Sequence, residues 1–133
     1  MTSFVKSWAA ALALTVMTSG AAFAQPANDE ATKEAYIKQG EVVFNDYCSA
    51  CHGANGEGGS GPALAKNGFV NGRAAVINQV LFGATDHGMP PFAPVLTDEQ
   101  VAQVATYIRN SWGNKAGIVL PRSVELRRTE TSN

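Results

Sequence analysis

Residues 46–64 read DYCSACHGANGEGGSGPAL, and this tract constrains the chain more than any other. Cys48 and Cys51 are the only cysteines among 133 residues, and His52 follows the second directly. On a helix, side chains three residues apart share a face. Both thiols therefore project to one side, with the imidazole one residue further on. Ser49 and Ala50, between the thiols, are small enough to let the helix lie close to a flat partner. The run GANGEGGSGP that follows breaks regular structure and reads as a loop.

Few chemistries need two thiols and an imidazole in that order. Cys-x-x-Cys-His is the attachment signature of c-type haem. Each thiol adds across one vinyl group to form a thioether, and His52 stands beneath the ring with its imidazole toward the iron. The rival readings fit less well. A structural zinc site could draw on Cys48, Cys51, His52 and His87, but adjacent Cys51 and His52 would strain a tetrahedral centre. A thioredoxin-like redox pair needs surrounding βαβ architecture, for which the sequence has no pattern. A plain disulfide across a two-residue gap is rarer still.

The amino terminus bears on the redox compartment. MTSFVKSWAAALALTVMTSGAAFAQ has a lysine near its start, an apolar run over 8–16 and the small-x-small triplet Ala22-Phe23-Ala24. This is the pattern of a cleaved export signal covering 1–24. A membrane anchor would need about 20 unbroken apolar residues, and Thr15, Thr18, Ser19 and Gly20 interrupt the run. No cysteine follows the cleavage point, which argues against a lipoprotein anchor. The expected mature chain is periplasmic, has no membrane span and holds one domain. Its charge is slightly negative, since ten Lys and Arg, among them Lys6 of the signal, face eleven Asp and Glu. Nothing resembles the basic stripe of a nucleic-acid binder.

Hydrophobic periodicity predicts helices and no strands. Residues 28–51 read as a helix capped by Asn28 or Asp29, with Asp29, Glu30 and Glu34 at the positive end of its dipole. Tyr36, Ile37, Gly40, Val43, Phe44 and Tyr47 recur at spacings of three and four, which defines one buried stripe. A shorter helix is expected over 73–82, stopped by Gly83. In ATDHGMPPFAPV, three prolines forbid helix. Thr97 and Gln100 form a capping-box signal that opens a helix over 98–112. Its expected apolar face is Val101, Val104, Ala105, Ile108 and Trp112, with Gly113 at the C′ position. Residues 115–133 read as a polar surface tail in which Ile118, Val119 and Leu120 pack back. The expectation is an all-α domain of three to five helices, with a core too small to stand without something filling its middle.

Over residues 38–114 the chain resembles a class I cytochrome c, a small monohaem electron carrier. The matching pieces stand in the family's order: Gly40 and Phe44 of G-x-x-x-F, CSACH, GPAL, GMPPF and VATYIRNSWGN. The resemblance implies a class I cytochrome c fold over 25–114 around one covalently bound haem c. It implies thioethers from Cys48 and Cys51, His52 as one axial ligand and Met89 as the other. Pro62 would hold the Nδ1–H of His52 through its carbonyl, and Leu64 would cover the ring edge. Gly40, Phe44 and Tyr107 would form the family's helix crossing. Once 1–24 is removed, Met89 is also the only thioether left and His87 the only other imidazole, so His87 stays open as the alternative ligand. Arg73 and Trp112 are candidates for contact with the propionates.

What the resemblance implies for function is single-electron transfer rather than catalysis. The expected partners are exported redox proteins, with a dehydrogenase as donor and an oxidase or another cytochrome as acceptor. The alternative is a cytochrome c subunit of a periplasmic dehydrogenase complex, such as one with a quinoprotein, since VATYIRNSWGN resembles the endings of such domains. A haem sensor or peroxidase would need an open axial site, which Met89 would fill. Phe92, on the stiff loop after Met89, is expected either to offer an apolar docking rim or to pack inward over the ring.

Overall fold

The computed structural model describes residues 29–130. The expected export signal and residues 131–133 lie outside them. Among the described residues the chain is all-α. Its helices are α1 Glu30–Tyr47, α2 Ser49–His52, α3 Arg73–Phe82, α4 Asp98–Asn110 and α5 Pro121–Glu130. Single 3-10 turns at Gly68–Asn71 and Thr85–His87 interrupt the long connections.

Asp29 is the cap of α1, its carboxylate accepting the Thr32 N–H at 2.7 Å. That bond holds the carboxyl below its ordinary pKa. The stripe Tyr36, Gly40, Val43 and Phe44 is buried, and Ile37 packs at its edge. Tyr47 departs from expectation, being 42% exposed. The helix breaks at Cys48 (φ −120°, ψ −35°), and α2 leaves in a new direction before the stripe can continue.

The crossing of α1 over α4 positions the rest. A methyl group on Gly40 would stand 2.7 Å from Tyr107 Cβ and closer still to the Gln103 carbonyl. Only glycine lets the backbones meet there. One turn on, the Phe44 ring packs 5.4 Å from Tyr107 and 4.9 Å from Trp112 (centroid distances), and Trp112 meets Tyr107 edge-on at 5.1 Å. Such tilted pairs add to what burial alone provides.

Helix α4 opens with the expected capping box. Gln100 N–H donates to Thr97 Oγ1 at 3.2 Å, and Thr97 N–H donates to Gln100 Oε1 at 3.0 Å. It closes at Asn110, two residues short of expectation. Trp112 adopts φ +53° and Gly113 φ +89°, so the indole turns back onto Phe44 instead of continuing the helix. Beyond it Ile118 and Val119 pack inward as expected. The Val119 N–H donates to the buried Thr106 hydroxyl at 2.9 Å. The tail then forms α5, which packs on α3 and α4. Its sequence is polar and only Val124 of it is buried, so no apolar stripe announced it.

Candidate functional site

Helix α2 is a single turn, and it carries the motif. Cys48 N–H donates to the Phe44 carbonyl at 2.8 Å, and His52 N–H to that of Cys48 at 3.0 Å. The thiols of Cys48 and Cys51 are unpaired, Cys48 buried and Cys51 exposed. Burial, with a smaller contribution from Cys51, pushes the Cys48 thiol up to about 12.

His52 is buried, and its Nδ1 lies 2.8 Å from the Pro62 carbonyl oxygen. A carbonyl only accepts, so Nδ1 carries the proton and Nε2 keeps a lone pair available to a metal. The glycine loop exists to make this approach possible. Gly58 N–H donates to the His52 carbonyl at 2.7 Å, and Gly61 N–H to that of Cys51 at 2.9 Å. The loop thus folds back onto α2. A methyl group on Gly61 would lie 2.8 Å from His52 Cε1. At Gly56 (φ +65°) a methyl group would lie 2.7 Å from Trp112 Cζ3, so the indole of the aromatic trio also seats the loop. Leu64 N–H closes it on the Gly56 carbonyl at 2.8 Å, and the Leu64 side chain lies against the core edge.

Met89 sits on a loop sewn to the end of α3. Ala84 and Met89 exchange both backbone hydrogen bonds, at 2.9 and 3.1 Å. Phe92 N–H donates to Val80 O at 3.1 Å and Ala93 N–H to Leu81 O at 3.0 Å. The half-buried sulfur has a neighbour the sequence did not point to, since Gln79 Nε2 donates to Met89 Sδ at 3.4 Å. The same loop abuts the motif. The Phe92 ring meets Tyr47, the residue before Cys48, at 6.2 Å, and Phe92 is half-buried at the core edge. His87 is exposed on its 3-10 turn. Among the described residues no group of three or more His, Cys, Asp or Glu side chains is gathered as a metal site, which leaves the zinc reading without support.

Two further residues fasten the site, and sequence reasoning assigned neither. Asn114 is buried, donates through Nδ2 to Leu64 O at 2.8 Å and Ile108 O at 2.9 Å, and accepts from Asn67 N–H at 3.2 Å. It pins the segment after Pro62 to the end of α4. Arg109, also buried, donates to Val70 O at 2.9 Å, Gly117 O at 2.7 Å and Asn71 O at 3.1 Å. Both lie within VATYIRNSWGN, but their use rests on carbonyls from distant segments, which spacing cannot reveal. Arg73 lines a groove between α3 and α5 with Ile77, Leu126 and Arg127.

The donor set fits a c-type haem. Two thiols stand three residues apart on one helical turn, an imidazole presents Nε2, and a separate stiff loop carries a thioether.

A family model described as cytochrome C oxidase, cbb3-type, subunit III matches residues 35–108. Cytochrome c6 of Gracilaria tenuistipitata var. liui is 37% identical over 94 residues, covering 65% of this chain and 83% of that protein. The gluconate 2-dehydrogenase cytochrome c subunit of Pantoea cypripedii is 36% identical over 108 residues, covering 69% of this chain and 24% of that protein. Cytochrome cL of Methylophaga aminisulfidivorans MPT has a similar crystal structure, with a TM-score of 0.50 at 30% identity, covering 57% of this chain and 53% of that one. The chain spans 24–32% of the length of the first curated relatives it matches.

Proposed function

The chain belongs to the cytochrome c family, and from that premise we propose that it passes single electrons between exported redox proteins through one haem c. In this reading Cys48 and Cys51 would hold the haem by thioethers, and His52 and Met89 would supply the nitrogen and sulfur donors to its iron. The observation that carries the reading is the 2.8 Å bond from His52 Nδ1 to the Pro62 carbonyl. It sets the tautomer a haem-binding histidine needs, directly after the cysteine pair that signals covalent attachment.

When bound, the haem supplies a one-electron couple between ferric and ferrous iron. The residues around it do the rest. Cys48 and Cys51 fix the ring to α2, and the Pro62 carbonyl holds the His52 ring in orientation and strengthens its donor nitrogen. Met89 offers a thioether, which favours the ferrous state relative to a second imidazole and so raises the potential. The backbone bonds between Ala84 and Met89 fix the main chain that carries the thioether, and Gln79 Nε2 donates to the sulfur itself at 3.4 Å. With His52 and Met89 both serving as donors, the iron would have no ready place for oxygen or peroxide, which disfavours a sensor or peroxidase.

The chain is an electron carrier or a cytochrome subunit of a dehydrogenase or oxidase complex. The likeness to the gluconate 2-dehydrogenase subunit supports the second form, with a periplasmic dehydrogenase as donor. An export signal over 1–24 would deliver it to the compartment where such partners work. Mass spectrometry tests the core of the proposal. The exported protein should carry the mass of one haem that resists acid–acetone extraction, whereas extractable haem or none would overturn it. Purification under mild conditions separates the two forms, since a subunit brings its enzyme along and a free carrier elutes alone.

A further inference from the structure

The Met89 loop is held from two sides, and the second side is α5. Arg128, in the last turn of that helix, donates to the Leu96 carbonyl at 3.0 Å, to the Ala93 carbonyl, and to Asp98 Oδ1 at 2.8 Å. One guanidinium therefore joins three places: α5, the segment that follows Met89-Pro90-Pro91-Phe92, and the first residue of α4. The α3 side of the same loop is bound by the Phe92–Val80 and Ala93–Leu81 backbone pairs. Ala93 is the point where the two sets meet, its N–H on α3 and its carbonyl on α5.

We infer that Arg128 is a positioning residue for the axial methionine, and that α5 acts as a latch on the Met89 loop. The inference rests on the reading of Met89 as ligand. The ion pair by itself would do little, since both partners are about a third exposed and solvent screens such pairs. The carbonyl contacts carry the argument. A fork of charged donors can satisfy two carbonyls and a carboxylate at once, and a lysine ammonium cannot reproduce that geometry. Between Met89 and Ala93 stand Pro90 and Pro91, whose fixed φ angles transmit a shift at Ala93 toward the sulfur. The family model ends at residue 108, so α5 and Arg128 lie outside the matched segment, while the groups they hold, on Ala93, Leu96 and Asp98, lie within it.

The test is imidazole binding to the ferric holoprotein, followed by its absorption spectrum. Imidazole can reach iron only when Met89 has left, so its apparent affinity is scaled by the fraction of open loop. Met89→Ala sets the fully open limit. Arg128→Ala should raise the apparent affinity over the parent roughly tenfold, and Arg128→Lys by less, with the helical circular dichroism of both unchanged. Arg122→Ala, which removes an exposed pair on the same helix, should leave the affinity as it was. If Arg128→Ala does not fold, Arg128→Lys carries the test alone, with a rise of at least about twofold required. A folded Arg128 variant that binds imidazole as the parent does, while Met89→Ala binds far more tightly, would overturn the latch and leave the ligand reading intact. Equal binding by the parent and Met89→Ala would instead overturn Met89 as ligand, and the latch with it.

Discussion

The Nδ1 of His52 and the carbonyl oxygen of Pro62 stand 2.8 Å apart, across a loop that folds back onto the helix it left. The loop can come this close only because Gly61 has no side chain, since a methyl group would lie 2.8 Å from His52 Cε1 and 3.0 Å from Nδ1. Gly61→Ala should therefore push the ring or the loop aside and destabilise the holoprotein by about 1–3 kcal/mol. Lengthening the His52–Pro62 bond should also weaken the histidine as a donor and raise the reduction potential. Urea unfolding and protein-film voltammetry read the two effects. An unchanged potential in a destabilised variant would mean that the bond does not tune the iron.

Met89→Ala should abolish the weak long-wavelength absorption band that sulfur ligation gives a ferric haem, and it should lower the potential because a ligand favouring ferrous iron is gone. Persistence of the band would refute Met89 as the ligand, whereas a parent protein that lacks the band and whose ferric spectrum changes in His87→Ala would assign the position to His87.

Asn114 satisfies the Leu64 and Ile108 carbonyls and the Asn67 N–H from one buried amide. Asn114→Ala leaves those groups unpaired and should cost about 2–3 kcal/mol by urea unfolding. Asn110→Ala is the comparison. Its Nδ2 donates to Thr106 O at 2.8 Å and its Oδ1 accepts from Ala116 N–H at 3.2 Å, both part-buried, and its cost should be smaller.

Tyr36 is buried, and its hydroxyl finds no hydrogen-bond partner among the described residues. Burial first, and the nearby Glu99 second, raise its pKa well above the ordinary value of 10.0. The folded protein thus keeps a proton that the unfolded chain would release. This contribution is constant below the unfolded pKa and is lost as pH rises from there toward the folded value. Tyr36→Phe should flatten the fall in stability above pH about 10 and should stabilise the protein by up to about 1 kcal/mol at neutral pH. Denaturant midpoints measured across the alkaline range decide the matter, and a variant that loses stability as steeply as the parent would contradict it.

Cys48→Ala/Cys51→Ala protein should be largely unfolded by circular dichroism, because so small a chain depends on its cofactor to complete its core. A cooperative, fully helical double variant would show that the apolar crossing of α1 and α4 suffices alone.

The sequence by itself determined the elements whose causes are local. The Thr97–Gln100 capping box and the stop of α3 at Gly83 depend on residues within a few positions of one another, whereas the glycine at the α1–α4 crossing and the order of CSACH, GPAL and GMPPF were legible through the family's pattern. The hydrogen bond from His52 to Pro62 was legible too, but only through the family's pattern, since ten residues separate the pair. Tertiary structure alone decided the rest. Trp112 leaves the helix because its ring is worth more against Phe44, Tyr107 and the Gly56 backbone than in one further helical turn. Helix α5 has almost no apolar face, so nothing in its periodicity marks it, and it is held through Val124 and through Arg128 reaching the carbonyls of Ala93 and Leu96. Arg109 and Asn114 likewise reach partners on distant segments, among them Val70, 39 residues from Arg109, and Leu64, 50 residues from Asn114. A polar side chain that serves a distant backbone leaves no periodic trace, because its role is set by which carbonyls the finished fold leaves unpaired.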